Sequence, residues 1–293
     1  MNRDTAFEFA IVLINYNTED DILTLIRKMN SFGLRILFLV YDNKPGGEFQ
    51  EQLSRLSHEG MDILYFSDKG NPGYCRAVNY CFAHIRANYP TIPYIGLLNS
   101  DIEIDRAALV ECSYFLQQNQ EFIAVNPLIY GSNGKVWFGG GFFHEKQLAI
   151  ESNLPSSISS DDCDFYNGCF VIFSNKILQF EYDESLFMYY DEFDLSRRIR
   201  QSGYRIKLNK DVSIVHHISR SLEGLDHLKA YYKTRNYLYV LKKHEFNHLF
   251  PAYQKLAWQG LACLKHRNYK SFKYMLRGIR DFKSGKMGKL VEA

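Results

Sequence analysis

The stretch F-A-I-V-L-I-N-Y-N, residues 9–17, decides the fold class of this chain. Six consecutive apolar residues followed by polar ones are typical of a buried strand that ends in a loop. Similar apolar runs recur at residues 36–41, 63–66 and 94–98, and helical patterns such as the one at 22–29 separate them. This alternation predicts an α/β fold with a mostly parallel central sheet flanked by helices on both faces.

Polar side chains follow each of these four runs. In chain order they are Asn15, Asp42, Asn71, Asn99 and Asp101. Asn and Asp are also common in ordinary turns. Ligands of parallel sheets lie beyond the carboxyl ends of the strands, however. The joint placement of these residues therefore predicts a site that binds a base and a ribose or holds a metal-bound phosphate.

The segment N-S-D-I-E, residues 99–103, places oxygen-bearing side chains at alternate positions after a buried run. Hard cations such as Mg²⁺ and Mn²⁺ take one or two carboxylates and complete their shell with phosphate and water. The first run is not followed by G-x-G-x-x-G, and the sequence contains no G-x-x-x-x-G-K-[ST]. A Rossmann dehydrogenase and a P-loop NTPase are therefore both disfavoured.

A second cluster, F-M-Y-Y-D-E-F-D-L at residues 187–195, crowds three carboxylates at the start of a predicted helix. Asp191 and Asp194 have the spacing of a capping box, and Gly203 is a suitable end for the helix. Like charges beside apolar rings also raise carboxylate pKa values, as in active sites. The residues alone leave both interpretations open.

Composition limits the classes of protein that fit. The chain has 293 residues, 46% of them hydrophobic, and can bury a full core as one large domain or two smaller ones. Six cysteines without a C-x-x-C pair indicate reduced thiols, which predicts a cytoplasmic protein. No run approaches the ~18 apolar residues of a spanning helix, so we expect no transmembrane segment.

Charge divides the chain into two parts. Residues 229–293 carry 15 Lys and Arg against three Asp and Glu, whereas residues 1–228 carry 20 against 30. The basic part is rich in aromatic residues and predicts two or three amphipathic helices broken near Pro251. It suits an anionic membrane surface, and a helical cap with a solvated basic face is the alternative. No nucleic-acid module is recognisable, so nucleic acid is not an expected partner.

A series of motifs follows in order from about residue 8 to 240. They are I-V-L-I-N-Y-N (11–17), Y-D-N (41–43), N-P-G-Y-C-R-A-V-N (71–79), L-L-N-S-D (97–101), W-F-G-G-G (137–141), N-G-C-F-V-I (167–172), F-M-Y-Y-D-E-F-D-L (187–195), G-Y-R-I (203–206), V-H-H-I-S-R-S (215–221) and R-N (235–236). As a set they resemble the inverting family-two glycosyltransferases with the GT-A fold. The likeness is greatest to the bacterial rhamnosyltransferase-like branch, which uses nucleotide-diphosphate sugars.

The resemblance implies roles for individual residues in donor binding. The implied nucleotide-sugar contacts are Asn15, Asp42, Asn71, Arg76, Asn99 and Asp101. Asp101 would take the place of the metal-binding D-x-D motif and hold Mg²⁺ or Mn²⁺ on the diphosphate, with His216 approaching the same metal. His217 is the less expected ligand, because Ser221 lies at the family's spacing from His216. One carboxylate stands where D-x-D has two, so we expect metal binding that is weak or depends on the nucleotide.

The resemblance also assigns the acidic cluster. The family pattern reads Glu-Asp-x-Asp with the second acid as the base, whereas this chain reads Asp191-Glu192-Phe193-Asp194. We therefore expect Glu192 to be the catalytic base, with Asp191 as the fallback and Asp194 as a helix cap and orienting group. On the acceptor side the resemblance places Trp137, Gly140, Asn167 and Asp194, bordered by the Ser-rich loop at 155–164.

The expected function is inverting transfer of rhamnose or another hexose to a glycan or lipid-linked acceptor in cell-surface polysaccharide synthesis. Residues 1–228 would form the GT-A domain, with a nucleotide-binding half at about 1–130 and an acceptor half at 131–228. Residues 229–293 would form an extension on the inner face of the cell membrane. Two alternatives are a nucleotidyltransferase that makes the sugar nucleotide and a non-catalytic protein that binds nucleotide sugar or glycan. The first typically has a Gly-rich loop with a basic residue after its first strand, and residues 15–20 have neither.

Overall fold

The structure, a computed structural model, describes residues 7–68, 70–152, 161–217, 225–246 and 248–291. Within these ranges the strands are β1 Phe9–Asn15, β2 Ile36–Asp42, β3 Asp62–Ser67, β4 Tyr94–Leu98, β5 Ile102–Glu103, β6 Phe122–Gly131, β7 Val136–Phe138, β8 Phe142–His144, β9 Ala149–Glu151, β10 Asp162–Cys163, β11 Phe170–Ser174 and β12 Arg205–His216. The α-helices are α1 Glu19–Asn30, α2 Gly47–His58, α3 Tyr74–Asn88, α4 Arg106–Gln118, α5 Asp191–Gln201, α6 Asp226–Lys243, α7 Phe250–Lys265 and α8 Tyr269–Lys283. Short 3-10 helices span Asn175–Gln179 and Glu184–Leu186.

The first four strands form the parallel sheet that the sequence predicts. Strand β1 pairs in parallel with β2 on one side and with β4 on the other, and β2 pairs in parallel with β3. Asn15 is in register with Asp42, so the polar ends of two strands lie side by side. Every residue of β2 is buried, as expected of a strand covered on both faces.

The second half of the sheet is mixed. Strand β11 inserts antiparallel between β4 and β6, and β12 runs parallel to β6. The described strands follow the order β10-β12-β6-β11-β4-β1-β2-β3, with β5 paired to β12 and β7 to β6, while β8 and β9 form a separate hairpin. The apolar run of β11 is buried through its first four residues. It therefore lies at the centre of the sheet. Only contacts between residues distant in sequence determine this position.

The basic C-terminal part contains three helices, where two or three were predicted, and Pro251 lies in the first turn of α7. Helices α6 and α8 approach closely at Gly278, where an added Cβ would lie 2.8 Å from the carbonyl oxygen of Tyr231. The Tyr231 hydroxyl donates to Asp281 at 2.9 Å in the same contact. Val240 of α6 joins the main hydrophobic core, so this helix packs directly on the sheet domain.

Two further expectations concern the thiols and the membrane. All six cysteines are free, and five of them are buried. In the part of the chain that the structure describes, no helix combines the length and the hydrophobicity needed to cross a bilayer.

Gly73 joins two segments of the fold and generates a stability prediction. It has a φ of +96°, and an added Cβ would lie 2.5 Å from the Phe187 ring and 3.0 Å from the Phe187 carbonyl oxygen. We expect Gly73→Ala to lower the free energy of unfolding by about 1–3 kcal/mol, because both backbone strain and a clash oppose it. Urea denaturation measures this difference.

Gly47 provides the matched control. It opens α2, and an added Cβ there would meet no atom within 4 Å, so Gly47→Ala should leave stability unchanged or raise it slightly. Equal effects of the two substitutions would contradict the close packing of Gly73 on Phe187.

Candidate active site

A cavity of about 410 Å³ lies at the carboxyl ends of the parallel strands. Its sheet side is lined by Tyr16, Asn43, Asn71 and Asn99, and the facing wall is formed by residues 187–189 and by α6. This volume is in the usual range for small-molecule sites. Two of the predicted nucleotide ligands, Asn71 and Asn99, therefore line one cavity.

Asn15 and Asp42 lie beneath this cavity, fully buried. Asn15 Nδ2 donates to Asp42 Oδ1 at 2.8 Å and to Glu19 at 3.1 Å, and the Tyr65 hydroxyl donates to Asp42 Oδ2 at 2.9 Å. These bonds join the ends of β1, β2 and β3. The two predicted ligands thus form the floor of the site, where they fix the strand ends to one another.

Asn43, one residue beyond Asp42, is not among the nucleotide contacts that the sequence analysis names. It lines the cavity, yet it is buried, and its Oδ1 accepts no hydrogen bond from the described residues. A buried acceptor without a partner is costly, so it marks a position for a donor on a ligand. The motif Y-D-N contained this signal, but the strand pattern does not show which of its polar residues faces outward.

The loop before α3 is shaped by Asn71. This residue has a φ of +51°, and its Oδ1 accepts a hydrogen bond from the Gly73 amide at 3.1 Å, which forms an Asx-turn. Tyr74 N then donates to the Phe187 carbonyl at 3.1 Å and fixes the loop to the opposite wall. Arg76 is exposed on the first turn of α3 and does not line the cavity.

Asp101 and His216 form a pair beside the cavity residue Asn99. Asp101 Oδ2 lies 3.2 Å from His216 Nε2, and each side chain is less than a tenth exposed. Trp137 packs its ring edge-on against the imidazole, with a centroid distance of 4.5 Å. The pairing of β5 with β12 places His216 opposite Ile102 and so brings the two residues together.

This pair fits a divalent cation held jointly with a ligand. One carboxylate and one imidazole, together with phosphate oxygens and water, suit Mg²⁺ or Mn²⁺. The buried Nδ1 of His216 has no hydrogen-bond partner among the described residues. In the described ranges no group of three or more His, Cys, Asp or Glu is placed to hold a metal. His217 lies outside the pair and contacts Glu103 at 3.5 Å, while Ser221 lies outside the described residues.

The chain preceding the acidic pair is held in an unusual conformation. Phe187, Tyr189 and Tyr190 all have φ values of +64° to +67°. Asn236 of α6 donates from Nδ2 to the carbonyls of Leu186 at 2.8 Å, Met188 at 2.7 Å and Tyr189 at 3.2 Å. Left-handed non-glycine residues persist only where surrounding contacts impose them. The dipeptide R-N, in which Arg235 also donates to Leu186, imposes this turn.

Asp191 and Glu192 begin α5 at the end of this turn. Burial, reinforced by the charge of Glu192, raises the pKa of Asp191 well above its usual range. Burial also raises the pKa of Glu192, but backbone hydrogen bonds at Glu192 and Gly168 and the Asp191 side chain oppose that shift. Two adjacent carboxyls do not both ionise readily. Asp191 is thus the member of the pair that favours its protonated form more strongly.

Glu192 lies near the cavity-lining residue Tyr74 at the tight turn of Gly168. An added Cβ at Gly168 would lie 3.2 Å from Glu192 Oε1 and 3.0 Å from the hydroxyl of Tyr74, a cavity-lining residue. The predicted acceptor-side residue Asn167 forms this turn, because its Oδ1 accepts from Cys169 N at 2.8 Å. Asn126 of β6 fixes the turn by donating to the Asn167 carbonyl at 2.9 Å.

The capping box predicted for Asp191 and Asp194 is wrong. Tyr190 is the N-cap residue and makes no side-chain cap bond, while Asp194 is fully buried and does not line the cavity. Its Oδ2 accepts from Arg198 at 2.9 Å, and its Oδ1 lies 2.8 Å from Lys243 Nζ and 3.0 Å from His244 Nε2. Asp194 therefore anchors α5 to the end of α6, and those long-range partners outcompete the local cap.

The other predicted acceptor-side residues shape the backbone or pack against the pair formed by Asp101 and His216. Gly140 has a φ of +106°, and an added Cβ would lie 2.8 Å from the Phe142 ring. Trp137 lies on His216. Most of the Ser-rich loop, residues 153–160, is outside the described residues.

One face of α6 carries site residues that the sequence analysis missed. Lys229 lines the cavity, and Lys233 places its ammonium 5.1 Å from the centroid of the Tyr189 ring. The charge of Lys233 favours the ionised form of Glu192. Together with Asn236 these lysines have the i, i+4, i+7 spacing of one helix face. That spacing was readable in the sequence, but nothing local showed which face meets the site.

Comparison with known proteins gives a family match. A profile of glycosyl transferase family 2 matches residues 10–187. The chain is 26% identical over 219 residues to the Low-salt glycan biosynthesis hexosyltransferase Agl10 of Haloferax volcanii, covering 71% of this chain and 67% of that protein.

Solved structures share the fold. GalNAc-T7, crystallised with UDP, GalNAc and Mn²⁺, matches with a TM-score of 0.64 and 14% identity over 96% of this chain, which spans 58% of that one. The mannosyltransferase PcManGT from Pyrobaculum calidifontis, in complex with GDP-Man and Mn²⁺, matches with a TM-score of 0.58 and 11% identity. That match covers 97% of this chain and 89% of the mannosyltransferase. At these identities the likeness shows the fold alone, and it confirms the predicted GT-A fold.

The anchor at Asp194 predicts a pH-dependent stability. Burial opposes its ionisation, but hydrogen bonds from His244 and Lys243 outweigh burial and lower the pKa of Asp194 from its ordinary 3.8. A lowered pKa stabilises the fold above the ordinary value, and this contribution is lost as the pH falls through the folded value. We expect Asp194→Asn to lower the free energy of unfolding by about 3 kcal/mol near neutral pH. The difference should shrink below about pH 4.

Urea unfolding of both proteins across this pH range provides the measurement. Glu145→Gln is a control. Glu145 is two-thirds exposed, and its long ion pair of 3.8 Å with Arg197 is weak, so this substitution should change stability by less than about 1 kcal/mol. A pH-independent difference for Asp194→Asn would contradict the ionic anchor.

Proposed function

The chain belongs to glycosyl transferase family 2, and we propose that it is an inverting glycosyltransferase of the rhamnosyltransferase-like branch. It moves rhamnose or another hexose from a nucleotide-diphosphate donor to a glycan or lipid-linked acceptor in cell-surface polysaccharide synthesis. The observation that carries this proposal is the position of Glu192 beside Tyr74, at the edge of the cavity that Asn43, Asn71 and Asn99 also line. The hexosyltransferase of glycan biosynthesis to which the chain is similar supports a hexose donor.

The donor nucleotide lies at the strand ends. Asn43, Asn71 and Asn99 supply amide groups to the base and ribose. The bonded pair Asn15 and Asp42 supports them from below. Asn43 Oδ1, a buried acceptor without a partner among the described residues, takes an N–H or O–H of the ligand. Arg76, which is exposed on α3, lies outside this set.

Asp101 and His216 would hold Mg²⁺ or Mn²⁺ on the diphosphate. The cation, when bound, neutralises the negative charge that develops on the leaving nucleotide diphosphate. GalNAc-T7 and the Pyrobaculum mannosyltransferase were each solved with Mn²⁺, and this supports the choice of a divalent metal. With two protein ligands, affinity for the metal depends on the phosphate oxygens of the donor.

Glu192 is the general base. Its carboxylate takes the proton from the acceptor hydroxyl while that oxygen forms a bond to the anomeric carbon, and the bond from this carbon to the diphosphate breaks on the opposite face. A single displacement of this kind inverts the anomeric configuration and needs one base. Asp191 keeps its own proton and hydrogen-bonds to Glu192, which fixes the base in place.

Residues 1–228 constitute the transferase domain and residues 229–293 the extension, with α6 joining the two. The outer face of α7 is apolar, since Phe250 is 70%, Trp258 73% and Leu261 56% exposed. No Asp or Glu occurs between Glu245 and Asp281. Exposed aromatic residues flanked by cations suit the interface of an anionic membrane. This surface supports a position on the inner face of the cell membrane, beside a lipid-linked acceptor.

The assignment of the base predicts different outcomes for two isosteric substitutions. Glu192→Gln should reduce the transfer rate by about 10²–10⁴-fold, because the only ionised acid of the pair is lost. Nucleotide affinity should stay nearly unchanged. Asp191→Asn replaces a neutral acid by a neutral amide and should retain most activity. Initial rates with a fixed donor, together with nucleotide titration, provide both quantities.

The reverse pattern, in which Asp191→Asn abolishes transfer and Glu192→Gln retains it, would move the base to Asp191. Nucleotide-sugar binding by the wild type without transfer or hydrolysis would instead favour the non-catalytic binding protein.

The membrane surface generates a separate prediction. Vesicles with anionic lipid should sediment the protein at low salt and release it at high salt, because screening weakens charge attraction. Trp258→Ser with Leu261→Ser should reduce the bound fraction severalfold. Tyr114→Ser is the control, since Tyr114 is 58% exposed on α4, away from this face. Equal binding by all three proteins would contradict a membrane role for α7.

A further inference from the structure

The chain beyond α8 turns back across the candidate donor cavity. We call residues 285–291 the C-terminal strap. Gly288 N donates to the Ser185 carbonyl at 2.6 Å, and Arg235 donates to the Gly288 carbonyl at 2.7 Å. Leu290 N donates to the Tyr232 hydroxyl at 2.8 Å. The strap is therefore attached to the same wall that carries the strained turn.

The strap contributes two side chains, Lys289 and Leu290, to the lining of the cavity. Lys289 Nζ also donates a hydrogen bond to the carbonyl of Gly70, in the loop that leads into Asn71. The strap thus connects α6 to the predicted nucleotide-binding loop. Lys289 and Gly70 are 219 residues apart in the sequence. The strap itself is outside the range matched by the family profile, residues 10–187.

The charges on the cavity wall have one sign. Among the described lining residues the ionised side chains are Lys229 and Lys289, and the remainder are amides, phenols or apolar groups. Lys229 also pairs with Asp226 at 3.3 Å, but the Asp226 side chain is 70% exposed, and such a pair contributes little. A cavity with two cations in its wall favours an anionic ligand.

We propose that Lys289, together with Lys229, binds the diphosphate of the donor, so that the strap completes the donor site. This inference rests on the proposed function, because it takes a nucleotide diphosphate as the ligand. An ammonium group has three N–H donors, and the Gly70 carbonyl takes one of them. The remaining donors form charge-assisted bonds to phosphate oxygens, which are stronger than bonds between neutral groups.

A purely structural role for Lys289 makes a different prediction. If the ammonium only attaches the strap to Gly70, its loss disturbs the cavity wall and lowers the affinity for every ligand by a similar factor. If it binds phosphate, its loss lowers the affinity for nucleoside diphosphates and leaves the affinity for nucleosides unchanged. The ratio of the two affinities therefore separates the two roles.

The experiment measures binding of UDP, GDP, ADP, CDP and dTDP, and of their nucleosides, by calorimetric titration of the full chain. The variants are Lys289→Met, Lys289→Arg and the control Lys286→Met, whose lysine is exposed in the same strap and does not line the cavity. We expect Lys289→Met to weaken the preferred diphosphate about tenfold or more. Nucleoside affinity should stay constant, Lys289→Arg should retain most diphosphate affinity, and Lys286→Met should match the wild type.

Wild-type diphosphate affinity in Lys289→Met would overturn the proposal, as would an equal loss for nucleoside and diphosphate. Absence of binding of every diphosphate to the wild type would instead refute the proposed function itself, and this inference with it. The wild-type titration thus separates the two failures.

Discussion

The rest of the site depends on the hydrogen bonds that Asn236 donates to the backbone of residues 186–189. Its two amide hydrogens serve three carbonyls within 3.2 Å, and residues 187–190 include three left-handed non-glycine residues. Each such residue costs about 1–3 kcal/mol unless its surroundings impose it. Phe187 in turn packs on Gly73 and accepts from Tyr74. One side chain of α6 therefore fixes both the start of α5 and the loop that faces it.

The three carboxylates at the start of α5 acquire different protonation states from their surroundings. Burial beside Glu192 raises the pKa of Asp191 well above its usual range, whereas hydrogen bonds and Lys233 oppose the rise that burial causes in the pKa of Glu192. Asp194 is ionised among Arg198, Lys243 and His244 and serves only the packing of α5 on α6. The strained turn precedes these acids, and beyond it Glu192 lies near the cavity residue Tyr74 while Asp194 lies among Lys243, His244 and Arg198. Our proposal therefore assigns the role of base to Glu192.

Local patterns predicted the first half of this structure well. The four parallel strands begin and end within about a residue of the apolar runs, and the polar residues that follow them meet at one edge, because strand period and turn composition are local properties. The insertion of β11, the anchor at Asp194 and the strap carrying Lys289 depend on partners tens to hundreds of residues away. Asn43 lines the cavity where the sequence predicts Asp42, and this difference has a simpler cause. The sequence shows where a strand ends, but the sheet edge decides which of two adjacent side chains is covered.

The account centres on one claim, that the cavity at the strand ends is a donor site completed by a cation on Asp101 and His216. Calorimetric titration of the preferred nucleoside diphosphate with and without Mn²⁺, in the wild type and in Asp101→Asn, tests this claim most directly. The account predicts that Mn²⁺ strengthens nucleotide binding in the wild type and has little effect in the variant, because the remaining imidazole alone is a poor site for a hard cation. Binding that is indifferent to Mn²⁺ in the wild type, or equally enhanced in Asp101→Asn, would contradict it.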